Sequence, residues 1–256
     1  MNTVGLSLCS RYAYPPNSLS LCGPEKQNDL TWYTKSGKTD KGTAEILSQF
    51  TTLYPYLTLI ASEHKIKDPF EPKVVEAYWI GNELLSGISL KAFERHVTQN
   101  LDLKRKIPKK ERSILLSKLS FGALPHHAFH VLNVWKRTGN IDSCHSIQTM
   151  EACMIAIGEV ETILPDSLII TTKPLRYSKD TLYFDAPIKR TITTLGKQDV
   201  FVKGLQIGNT VSYHWGRFVE KLTTSKIKRL QFFTKKALQF ANQAQLSHDT
   251  NYFYFG

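Results

Sequence analysis

Three histidines stand close together in the run Pro125-His126-His127-Ala128-Phe129-His130-Val131, and four cysteines, Cys9, Cys22, Cys144 and Cys153, are scattered along the chain. On a helix opened by Pro125, His126 and His130 lie one turn apart on a single face, the spacing that two imidazole ligands of one metal ion need. No glutamate completes an HExxH arrangement, and Ala128, Phe129, Val131, Leu132 and Val134 suit the same segment equally well to core packing. The cysteines are too sparse for a disulfide scaffold and no CxxC pair is present, so a cysteine that does chemistry here acts singly, as a thiolate. His145, beside Cys144 in an apparent linker, is expected at the surface. A polar and aromatic set, Arg11, Tyr12, Tyr14, Asn17, Cys22 and Gly23, could line a pocket with Tyr78, Trp79, Asn82 and Glu83. Aromatic residues beside Pro15 and Pro16 also staple loops onto helices, and that reading is the one adopted. No P-loop, GxGxxG, GxSxG or paired-carboxylate pattern occurs, so nucleotide hydrolysis and acyl transfer have no support in the sequence.

The elements that must position these groups change character once along the chain. Residues 1–42 are rich in Pro, Gly, Ser and Asn and predict a loop-rich entry. Thr43–His64 carries apolar residues at helical spacing, kinked or divided by Pro55. Pro72 opens a cleaner helix through Val75, Tyr78, Trp79 and Leu85; Ser89 caps a third through Val97, and Pro108 opens a fourth through Leu119. From Glu151 the pattern becomes short, β-branched and alternating, predicting strands over 154–164, 168–172, 181–184, 190–195 and 210–218. Residues 223–241 return to helical spacing. The expected fold class is α+β: a mainly α-helical domain over 1–145, then a small OB-like β-barrel with a C-terminal helix over 146–256, the helix covering an open end of the barrel.

At 256 residues and 41% hydrophobic the chain has enough apolar surface for a substantial core, and a net charge of +11 invites an anionic partner without fixing the chemistry. No apolar run approaches bilayer length and the N-terminus lacks a signal-peptide pattern, so the expectation is a cytoplasmic protein without a membrane partner.

Two segments of the second half carry a resemblance. Cys153-Met154-Ile155-Ala156-Ile157-Gly158-Glu159-Val160 opens the expected barrel, and Ile207-Gly208-Asn209-Thr210-Val211-Ser212-Tyr213-His214-Trp215-Gly216-Arg217-Phe218 ends it. In order and extent, residues 153–245 resemble the HypC/HybG/HupF family of [NiFe]-hydrogenase maturation chaperones. Ile157 replaces that family's Pro, Asn209 its Asp, and Cys153 is internal where the family's cysteine is N-terminal. The sequence separation of 61 from Cys153 to His214 implies an enlarged hairpin between Leu168 and Lys203. The whole chain also resembles an uncharacterised bacterial family with motifs standing here at Arg11–Asn17, Ala77–Asn82 and Pro125–Val131.

The chaperone resemblance implies a non-enzymatic carrier of iron, transiently held as an Fe(CN)2(CO) unit by Cys153 and His214; His126, His127 and His130 are secondary metal candidates by their spacing alone. A thiolate is a soft donor suited to such iron, and an imidazole adds nitrogen. The implied partners are a HypD-like maturation protein or the hydrogenase large-subunit precursor. The helical front domain then selects the partner or acts as an enzyme of ligand supply. For Cys153 the alternative is a small buried hydrophobe, and for His214 a satisfied histidine at a barrel rim. A different class of function is also open. The basic runs Lys104–Lys118 and Arg217–Lys236 beside an OB-like barrel could track single-stranded nucleic acid, although the strands lack alternating basic and aromatic residues and a solvated helix face explains the second run more simply.

Overall fold

A computed structural model describes residues 2–134, 138–141, 143–196 and 199–243. The described residues form a mixed α+β fold in which helices come first and strands follow, closed by one long helix. The helices are α1 (Thr3–Ser18), α2 (Gln27–Ser36), α3 (Lys41–Ser48), α4 (Leu53–Glu63), α5 (Pro72–Trp79), α6 (Leu90–Arg95), α7 (Leu103–Lys106), α8 (Lys109–Ser120), α9 (His127–Phe129), α10 (Ile147–Cys153) and α11 (Thr224–Gln243). The strands are β1 (Ala156–Ile163), β2 (Ser167–Thr172), β3 (Leu175–Ser178), β4 (Thr181–Phe184), β5 (Ile188–Thr193), β6 (Thr210–His214) and β7 (Arg217–Lys221). Among the described residues no helix is long and apolar enough to cross a membrane.

The entry over residues 1–42 is helical rather than loop-rich. Asn2 caps α1, its side chain accepting from the backbone N–H groups of Val4 and Gly5 at 3.1 Å. Pro15 and Pro16 sit in the final turns of α1, where they remove two ladder hydrogen bonds without ending the helix. What keeps the helix intact is burial, since Leu6, Cys9, Tyr12 and Ala13 all face the core. The segment around Pro55 divides before the proline, between Ser48 and Leu53. Pro55 then lies in the first turn of α4, where its missing N–H costs nothing. Pro72 occupies the first turn of α5, Ser89 Oγ accepts from Ala92 N at 3.3 Å to cap α6, and Pro108 precedes α8.

Five strands pair in the order β1-β2-β5-β7-β6, with β6 returning to β1. All pairings are antiparallel except β5 with β7, which meet at a single parallel bridge between Thr193 and Arg217. That seam is held at one point and is otherwise unpaired. Val160, Leu168, Ile170, Ile192, Val211 and Phe218 fill the interior. The stretch expected as one strand over 210–218 folds back at Trp215-Gly216, both with positive φ (49° and 71°), the signature of a two-residue hairpin turn. The enlarged hairpin is the β3–β4 pair, a separate two-stranded sheet packed on α10 and α11.

Helix α11 lies elsewhere than expected. It packs on α9 and the following π-helical turn His130–Val134 rather than over an end of the barrel. Leu230, Phe233, Ala237 and Phe240 at spacings of three and four enter the large helical core, each large side chain worth about 1.5–3 kcal/mol on burial. The helical core thus takes residues from both ends of the chain.

A buried ion pair locks α1 to the strands. The Arg11 guanidinium donates from its two terminal nitrogens to Asp199 at 2.8 and 3.3 Å, from Nε to the Val219 carbonyl, and stacks 4.0 Å from the Phe201 ring centroid. Both side chains are essentially inaccessible. Arg11→Ala strands the Asp199 carboxylate and is expected to cost about 3–5 kcal/mol of unfolding free energy, whereas replacing both partners by apolar residues costs much less. Urea unfolding of the single and double variants checks this.

Candidate metal centre

Three donors from three separate elements converge: His127 at the start of α9, Cys153 at the last residue of α10, and His214 at the end of β6. One donor atom from each lies within 4.8 Å of the others. The local sequence explains each placement. Ser146 and Thr149 form a capping box that starts α10, and Met154 turns the chain into extended backbone, leaving Cys153 at the helix terminus rather than at a strand start. The hairpin tip that carries His214 is tied to this helix by the Trp215 N–H, which donates to the Ala152 carbonyl at 2.8 Å. A positive φ at a residue as bulky as tryptophan is costly, and such strain is concentrated at functional sites.

Pro16 sets the orientation of His214. In a regular helix the Tyr12 carbonyl would accept from the N–H four residues on, but Pro16 has none. The orphaned carbonyl instead accepts from His214 Nδ1 at 2.8 Å. The proton is thereby fixed on Nδ1, and Nε2 is left with a lone pair, buried and without a hydrogen-bond partner. Pro16→Ala returns an N–H that competes for the Tyr12 carbonyl. The expected result is a mixture of His214 tautomers in place of the single Nδ1–H form, read by 15N NMR of the imidazole.

His127 is held at both nitrogens, with Nε2 donating to the Cys153 carbonyl at 2.7 Å and Nδ1 accepting from the Tyr78 hydroxyl at 3.1 Å. It must release one of these bonds to bind a metal, whereas His214 need release none. Burial holds both imidazoles neutral, pushing His214 down to about 4 and His127 well below its ordinary value, with His214 itself contributing to the latter. A neutral imidazole is the form that ligates. The Trp79 ring packs 4.5 Å from His127 and 5.7 Å from His214, and Tyr12 stacks on Trp79 at 5.2 Å.

The cluster borders a partly open cleft with a cavity volume of about 60 Å³. Apolar and aromatic walls from Leu21, Phe50, Leu53, Tyr78, Trp79 and Trp215 surround it, and no Asp, Glu, Lys or Arg lines it among the described residues. Such a donor set suits borderline-soft cations and offers nothing to Mg2+ or Ca2+, which require oxygen.

The other histidines separate into structural roles. His126 is the cap of α9, its Nδ1 accepting from Ala128 N at 3.1 Å and its ring stacked on Phe233. His130 is bonded at both nitrogens, to Tyr56 Oη at 3.1 Å and Thr138 Oγ1 at 2.9 Å. The helix starts at His127, two residues after Pro125; the His130 N–H still donates to the His126 carbonyl at 3.2 Å, but the His126 ring packs on Phe233 and the His130 ring on Tyr56, while His127 lies with Cys153 and His214. His145 is buried, lines the cleft and bonds Thr149 Oγ1 at 3.2 Å, contrary to the surface position expected of it. Of the pocket set, Cys22, Tyr78 and Trp79 do line this cleft, Tyr12 and Trp79 are also stapled together, and Asn82 caps the turn that follows α5. The signal for Cys22, Tyr78 and Trp79 was therefore present in the sequence as an aromatic set beside a cysteine.

No curated protein and no solved structure matches the chain. The family described as a family of unknown function (DUF6390) matches over residues 1–248, and the chain belongs to that family.

Proposed function

We propose that the protein is a non-enzymatic carrier of iron, which it holds through Cys153 and His214 with His127 as a third donor. The observation that carries this reading is the convergence of one thiol and two neutral imidazoles from separate elements, one of them with a buried Nε2 that makes no hydrogen bond. Three protein donors leave coordination positions open, as a site that must load and release its cargo requires and a closed four-ligand structural site does not. The apolar walls of the cleft suit small uncharged or delocalised ligands on the iron, and an Fe(CN)2(CO) unit is the cargo we assign.

The strand order, with its Greek-key return and one parallel contact between β5 and β7, supports an OB-like barrel of the partly open kind. Together with the resemblance of residues 153–245, this favours a role in [NiFe]-hydrogenase maturation, with docking on a HypD-like scaffold or on the large-subunit precursor. The helical portion contributes His127 and the cleft walls, so it is part of the carrier and not an appendage.

The test is infrared spectroscopy and iron analysis of protein purified without oxygen from a hydrogenase-producing host, beside a Cys153→Ala control. Cyanide and carbonyl stretching bands that vanish in the control are the expected result. Protein free of iron and of these bands, even with scaffold and hydrogenase co-expressed, overturns the carrier reading. Single-stranded nucleic-acid binding that falls steeply with salt and survives Cys153→Ala would favour the other class of function.

A further inference from the structure

A further soft donor borders the same cleft. Cys22 lines it with Cys153, His127 and His214, half-buried and outside the compact cluster that those three make. The loop that carries it is held by two asparagines. Asn17 donates from Nδ2 to the carbonyls of Cys22 at 3.0 Å and Pro24 at 2.8 Å. Asn140 donates from Nδ2 to Gly23 at 2.8 Å and Ser20 at 3.3 Å, and from its backbone N–H to Leu21 at 3.0 Å. Gly23 has φ +82°, and a Cβ there would stand 2.3 Å from the Phe50 ring, so only glycine lets the chain pass. The loop's carbonyls are spent on Asn17 and Asn140, and its side chain at the cleft is that of Cys22.

The second observation is His214 Nε2, buried in the same region with no partner. A borderline-soft divalent ion prefers four sulfur or nitrogen donors in a tetrahedron, and the cluster supplies three. No carboxylate among the described cleft residues competes for the fourth place.

Resting on the metal-site reading above, we propose that Cys22 supplies a second thiolate to the same centre, giving a closed Cys2His2 state that alternates with the open three-donor state. On closure the Cys22 thiol gives its proton to solvent as the sulfur–metal bond forms. On opening, an incoming ligand from cargo or partner takes the position and the thiol recovers a proton. No electron changes hands. The protein thereby holds its ion when idle and opens one site on demand, a regulation that a fixed three-donor site lacks.

The test is anaerobic titration of the full chain with Co2+, reading the sulfur-to-cobalt charge-transfer absorption, whose intensity scales with the number of bound thiolates. Cys22→Ser, Cys153→Ser and, as a control at an exposed cysteine, Cys144→Ser are compared with the parent. Cys22→Ser is expected to lower the charge-transfer intensity by about half and weaken Co2+ binding about 10–100-fold, with Cys144→Ser unchanged. Parent-like intensity and affinity in Cys22→Ser, with both lost in Cys153→Ser, overturns the role of Cys22 and leaves the three-donor site standing. Absence of the absorption in the parent overturns both. Alkylation of Cys22 in the Cys144→Ser background gives a readout independent of variant folding: Co2+ must protect it, and equal rates with and without the ion contradict the proposal.

Discussion

Cys153→Ala is expected to lower Fe2+ affinity by about 100-fold or more, since loss of an outer-sphere partner alone costs 10–100-fold and this removes the anionic ligand itself. The variant should remain folded. Cys153 is half-buried at a helix end, and α10 is held by its Ser146/Thr149 capping box and by Met150 in the core, none of which involves the thiol. Equilibrium dialysis against Fe2+ under anaerobic conditions, paired with a thermal melt, separates the two effects. An unchanged affinity would move the ion away from the α10–β6 junction altogether.

The second large effect is acid lability. His96, His126 and His130 are held near 3 by burial, His214 near 4, and His127 well below its ordinary value. In the unfolded chain each titrates near 6.5, so below that pH the unfolded state binds more protons than the folded one. The stability these groups permit is complete above the unfolded value and is lost as pH falls toward the folded values. Five such groups together remove roughly 6 kcal/mol between pH 7 and pH 5.5, comparable to the whole stability of an ordinary domain. Metal-free protein is therefore expected to unfold near pH 5, followed by circular dichroism and by urea midpoints across the range. His96 has no hydrogen-bond partner at either nitrogen and lies against Tyr56 and Phe93. His96→Phe should flatten the pH slope by about one proton while leaving neutral-pH stability intact. A stability that stays level down to pH 4.5 contradicts the buried, neutral assignment of these imidazoles.

Much of the architecture is legible locally. Pro72 and Pro108 start helices where proline is tolerated, β4 falls on its alternating residues, and α11 follows its spacing of three and four. The failures come from tertiary effects. Pro15 and Pro16 look like a break, but Asn2 capping and a fully buried face hold α1 through them, and the carbonyl they free becomes a ligand-orienting group for His214. Trp215-Gly216 lacks the Asn or Asp that announces a two-residue turn, so β6 and β7 read as one strand. The resemblance singled out Cys153 and His214, whose donors the structure places within 4.8 Å. His127 among its neighbours could not be chosen by helical spacing, because that spacing pairs His126 with His130, whose rings pack on Phe233 and Tyr56, and says nothing of which ring meets Cys153 and His214.

The most direct test of the central claim is X-ray absorption at the iron edge of anaerobically Fe2+-loaded protein. One or two sulfur scatterers with two imidazole nitrogens, the sulfur contribution falling in Cys153→Ala and the imidazole contribution falling in His214→Ala, is the result predicted by a centre built from His127, Cys153 and His214. An iron shell of oxygen alone, unchanged in both variants, would contradict it.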